Sequence, residues 1–120
     1  MRRQQALTVC YGLPAAELSY PFGEGTAIFK VAGKMFVAVS LDDEPGRATL
    51  KCDPEYGSVL VDQNDEITPG YHMNKRHWIT VLLVPTLPAM LIEDLITDSY
   101  DLVLAGLPAR VRRSFQTTDR

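Results

Sequence analysis

Ala27-Ile28-Phe29-Lys30-Val31-Ala32-Gly33-Lys34-Met35-Phe36-Val37-Ala38-Val39-Ser40 is the stretch on which the fold turns. Residues 27–31 and 34–40 are rich in β-branched and aromatic side chains, and Ala32-Gly33 between them suits a two-residue hairpin turn. Strands joined by so short a turn must be antiparallel, because a parallel return needs a crossover of a dozen residues or more. A doubly wound parallel sheet is thereby excluded. The expected architecture is an α+β two-layer sandwich.

Outward from the hairpin, Asp42-Asp43-Glu44-Pro45-Gly46 reads as a second turn. Arg47-Ala48-Thr49-Leu50-Lys51-Cys52 then alternates strictly, with Arg47, Thr49 and Lys51 on one face and Ala48, Leu50 and Cys52 on the other. Asp53-Pro54-Glu55 has the grammar of a helix start, an aspartate cap followed by proline at the first helical position and an acidic first turn. The helix is expected to run to about Asp62, weakened by Gly57. Thr68-Pro69-Gly70 reads as a turn and residues 78–83 as a further strand. The longest helix runs from Pro88 to about Ala105, with Leu91, Ile92, Leu95, Leu102 and Val103 buried and Asp94, Asp98 and Asp101 wet.

Upstream, Ala6, Val9, Cys10 and Leu13 form one stripe of a helix over residues 4–12, and residues 14–26 read as a connector. The expected order is α-β-β-β-α-β-α, an antiparallel sheet with N-terminal, middle and C-terminal helices. Residues 1–108 form the single domain, and residues 109–120, with Arg110, Arg112, Arg113 and Arg120, a basic and mobile tail.

The bulk numbers narrow the class. One hundred and twenty residues, 46% hydrophobic and 22% charged, suit one soluble domain. No apolar run approaches the ~20 residues of a membrane span, and no secretory signal follows the basic start, so a cytoplasmic chain without membrane contact is expected. Cys10 and Cys52 lie far apart and outside any Cys-x-x-Cys pairing, which suggests reduced core thiols. The net charge of −3 is not that of a dedicated nucleic-acid binder, so such a role requires a local basic surface.

Chemistry concentrates between Thr68 and Trp78, where both histidines and the only tryptophan fall within seven residues, interleaved with Asn74, Lys75 and Arg76. His72 and His77 lack two further donors at zinc spacing, and no metal or cofactor is expected. Cys52 beside a helix start could act as a nucleophile only with an oriented histidine, and a buried strand residue is the simpler reading. Asp94, Asp98 and Asp101 could hold a cation but match the wet side of a helix. Gly23-Glu24-Gly25 lacks the third glycine of a nucleotide-binding turn.

Lys75 and Arg76 can contact phosphates, Asn74 a base edge, and Tyr71 or Trp78 can stack on one. The competing expectation is that Trp78 packs in the core and that Lys75, Arg76 and His77 are solvated. Lys30, Lys34, Arg47 and Lys51 would join the cluster if the strand register brings their faces together.

The chain resembles the MmcQ/YjbR family over almost its full length. The resemblance rests on Pro21-Phe22-Gly23, Phe29-Lys30-Val31-Ala32-Gly33-Lys34-Met35-Phe36, Leu50-Lys51-Cys52-Asp53-Pro54-Glu55, the segment from Thr68 to Trp78, Ser99-Tyr100-Asp101-Leu102-Val103 and Leu107-Pro108. It implies a small bacterial protein with a frataxin-like sandwich, described as DNA-binding through likeness to a double-wing fold. The wings would then be the hairpin of Lys30 and Lys34 and the loop through His72 and His77.

The expectation carried forward is a non-catalytic, monomeric DNA-binding protein. Its contact residues are Lys30, Lys34, Lys51, Tyr71, His72, Asn74, Lys75, Arg76, His77 and Trp78. The alternative is a module that holds a small anion or a protein partner through the same residues.

Overall fold

A computed structural model of the chain describes residues 2–70 and 76–116. The hairpin forms where expected: β2 (Thr26–Val31) and β3 (Lys34–Ser40) pair antiparallel, closed by Ala32 and Gly33 at φ 51° and 79°. Two consecutive positive φ values are the signature of the turn whose twist matches that of the flanking strands. The pairing is not uniform. Phe29 faces Val37 but Lys30 faces Met35, so Phe36 is an extra residue in β3, a bulge.

β4 (Gly46–Lys51) follows, then α2 (Pro54–Gln63), whose Asp53 cap accepts a hydrogen bond from the Tyr56 amide at 3.2 Å. β6 (Trp78–Leu83) lies beside β4, and α3 (Ala89–Ala105) crosses the sheet. α1 (Arg2–Gly12) opens the chain. Three elements go beyond the expected order. The connector holds a short strand, β1 (Glu17–Ser19), and the turn at Thr68 holds another, β5 (Ile67–Pro69). Past Pro108 the chain forms α4 (Ala109–Gln116). The sheet therefore has six antiparallel strands in the order β1-β2-β3-β4-β6-β5 among the described residues.

Register assigns the faces. Val37 opposes Leu50 and Leu50 opposes Ile79, while Val39, Ala48 and Val81 form a second row. These side chains, with Phe29, make one core beneath α1, α2 and α3, to which the helices add Ala6, Cys10, Leu60, Ile92, Leu95 and Ile96. The other face carries Ile28, Lys30, Ala38, Thr49, Lys51, Thr80 and Trp78, the residues of opposite parity. Thr49 and Thr80 are hydrogen-bonded across it at 3.2 Å.

α3 buries more than its apolar stripe. Tyr100 is 4% exposed and its hydroxyl donates to the Pro14 carbonyl at 2.6 Å. Ser99 is fully buried, accepts from the Lys51 amide at 2.9 Å and donates to the Phe36 carbonyl at 2.6 Å. It thus bridges β3 and β4 just beyond their last direct pair, Val37 with Leu50, and satisfies two buried backbone groups.

The basic start has structural duties. Arg3 donates to the Ser40 and Asp43 carbonyls and pairs with Glu44, which clips α1 to the turn between β3 and β4. No described helix is long and apolar enough to cross a membrane.

Candidate functional site

At one end of the outer face the register places Lys51 directly opposite Trp78, and Lys30 opposite Met35. Lys30 reaches this face by the plain alternation of β2, and the bulge at Phe36 turns Met35 out to meet it while Phe36 stays inside. Lys34, one residue past the hairpin turn, joins Met35, Lys51 and Trp78 around a groove of about 350 Å³, closed on its far side by Val103, Gly106 and Leu107. Lys34 and Lys51 thus share this groove, while Lys30 lies outside its lining, opposite Met35. Trp78, expected in the core, is half-buried on the outer face beside Lys51.

The rest of the cluster divides. Arg47 shares a face with Lys51 but opposes Leu82, four residues further along β4, and is paired with Asp43. Arg76 lines a separate groove with Asp62, Pro69 and residues of α2. His77 is half-buried, and its carbonyl accepts the Cys52 amide at 2.8 Å, one step beyond the pair of Lys51 with Trp78. Tyr71, His72, Asn74 and Lys75 lie outside the described residues.

Lys30, Lys34 and Lys51 make no ion pair with the described residues. The carboxylates Asp94, Asp98 and Asp101 stand exposed on α3 instead, across the sheet from Lys30. The net negative charge is thus distributed unevenly: Lys30, Lys34 and Lys51 gather at this end, and Asp53, Asp98 and Asp101 lie on the other side of Lys51.

One contribution escaped the sequence reading. Gly106 and Leu107 line the groove, and α4 starts two residues later with Arg110, Arg112 and Arg113. Arg112 donates to the Ala105 carbonyl at 3.2 Å, capping the last turn of α3. The available signal was Pro108, which suits the residue before a helix as well as the end of one.

Cys52 lies on the inward face, 5% exposed. Burial, followed by the charges of Asp53 and Asp98, pushes its thiol up to about 11, and burial pushes Cys10 up to about 12. Both are free. A thiol held protonated in the fold favours folding fully below its unfolded value of 9.0, and the contribution disappears as pH rises through about 11 and about 12. Iodoacetamide at neutral pH should leave both cysteines unlabelled in the folded chain and label both after unfolding. Rapid native labelling of Cys52 would restore the nucleophile reading. Among the described residues, no three His, Cys, Asp or Glu side chains gather as a metal site.

Comparison with known proteins agrees with this architecture. The uncharacterized protein YbdF of Escherichia coli O157:H7 is 41% identical over 98 residues, covering 82% of this chain and 80% of its own. The uncharacterized protein YjbR of Escherichia coli K12 is 31% identical over 113 residues, covering 94% of this chain and 96% of its own. The crystal structure of protein DR2400 of Deinococcus radiodurans, a DUF419 domain, superposes with a TM-score of 0.83 at 36% identity, covering 91% of this chain and 83% of that one. The YjbR family model matches residues 11–102, from the end of α1 to the last turns of α3, and the chain belongs to that family.

Proposed function

We propose that the protein binds DNA through the basic end of its outer sheet face. The observation that carries this reading is the groove in which Lys34 and Lys51 flank Trp78, with Lys30 one strand away. Ammonium groups without carboxylate partners suit phosphate oxygens, and a half-exposed indole offers a platform on which a base can stack. Lys30 and Lys34 belong to the β2–β3 hairpin, which would serve as a wing beside the groove. The exposed carboxylates of α3, Glu93, Asp94, Asp98 and Asp101, disfavour approach of a duplex from that side.

Titration of labelled duplex and single-stranded DNA at increasing salt tests the proposal. Counterion release at three lysines predicts a slope of log K on log salt of about −3, with Lys34→Ala and Lys51→Ala each reducing it by about 1. Absence of binding to either form at low ionic strength overturns it. A second reading is supported by the groove's size, about 350 Å³, and by the net charge of −3. Under it the same lysines hold a small anion, and inorganic phosphate would bind at Lys51 with affinity that longer oligonucleotides do not exceed.

A further inference from the structure

On the other side of Lys51 lies a second groove, of about 400 Å³, between the start of α2 and the outer half of α3. Its floor is apolar: Cys52, Leu95, Leu102 and Ala105. Its rim carries three carboxylates, Asp53, Asp98 and Asp101, together with Tyr56, whose side chain is substantially exposed. No described residue forms an ion pair with any of the three acids. We infer that this groove is a binding site for an organic ammonium ion, a primary amine carried on an apolar body.

The choice of occupant follows from charge complementarity. A floor of this kind gains from removing apolar area from water, as small-molecule sites do. A neutral apolar ligand would strip water from the carboxylates and leave them unpaired, which is costly. An ammonium head at the rim answers them, and the Tyr56 ring can add a cation–π contact. The negative potential reaches the floor, because Asp53 and Asp98 both act on the Cys52 thiol, and burial followed by the charge of Asp98 raises the carboxyl of Asp101. A bare divalent ion fits poorly, since these acids do not gather as a metal site. Lys51, the cation in the lining, also borders the basic groove, so the two sites share one side chain.

Titration of the full chain with phenethylammonium chloride, followed by amide NMR, tests the inference. Saturating shifts are expected at Tyr56, Leu95, Leu102 and Ala105. The neutral isostere 2-phenylethanol should bind about tenfold more weakly, and Asp98→Asn and Asp101→Asn should each weaken the amine by about two- to fivefold, as loss of an exposed ion pair does. Asp98, Asp101 and Ala105 are exposed, so these variants and Ala105→Trp, which fills the groove, should keep the native spectrum. Equal affinity for the alcohol, shifts that do not saturate, or amine binding unchanged in Ala105→Trp would each overturn it.

Discussion

Replacing Phe36 with alanine should lower the unfolding free energy by about 3–5 kcal/mol, the cost of removing a fully buried aromatic ring. The ring has no exposure and lies between two others: Tyr100, edge-on at 5.3 Å between centroids, and Phe29, tilted at 6.4 Å. It ties α3 to the sheet at the bulge, where the extra residue of β3 turns inward. Its carbonyl accepts the Ser99 hydroxyl, so collapse of the cavity would also disturb the bridge to the Lys51 amide. Urea unfolding followed by circular dichroism measures the change. A midpoint within experimental error of wild type would mean that Phe36 does not hold the two layers together. The variant also probes the link from core to surface, because Lys51 leads from that bridge into the basic groove.

The elements legible in the sequence were those whose own residues carry a period or a cap. The hairpin at residues 27–40, the alternation from Arg47 to Cys52 and the Asp53-Pro54 helix start each state their conformation locally. β1 and β5 do not. Each has three residues at a sheet edge, too few to show alternation, and each forms because a longer neighbour supplies a ladder. Leu18 opposes Phe29, and Pro69, which has no amide to donate, is tolerated because β5 is an edge. The bulge was equally hidden, since Lys34-Met35-Phe36-Val37 reads as an unbroken strand.

The site was legible in type and partly in place. Lys30, Lys51 and Trp78 share a face because antiparallel register aligns residues of like parity, whereas Lys34 opposes the buried Val31 and reaches the groove from the start of β3. Arg76 precedes Trp78 by only two residues yet faces α2, since a loop residue is not bound by strand parity. Ser99 illustrates a different failure. A serine within an apolar helical stripe looks like a gap in the core until the strand ends that it bridges are known.

Gly70→Ala should destabilise the fold by about 2–4 kcal/mol, more than overpacking alone at a flexible site would cost. A Cβ built on Gly70 would lie 2.7 Å from the Cβ of Trp78, 2.8 Å from its carbonyl oxygen and 2.9 Å from its carbonyl carbon. Two of these atoms are backbone of a strand paired with β4, so they cannot move aside as the end of a long side chain could. The strain must be relieved by separating β5 from β6. That separation breaks the hydrogen bond from the Gly70 amide to the Trp78 carbonyl, 2.7 Å long, and loosens the pair of Pro69 with Ile79. Trp78 is the only tryptophan in the chain, so its fluorescence reports directly on the displacement. A red-shifted emission and a lower denaturation midpoint are expected together, and the proposed DNA binding should weaken with them, because the indole that lines the groove is mounted on the strand that shifts. An unchanged emission maximum with an unchanged midpoint would show that β5 can absorb the methyl group. In that case the close approach at Gly70 would not be what holds Trp78 in register with Lys51.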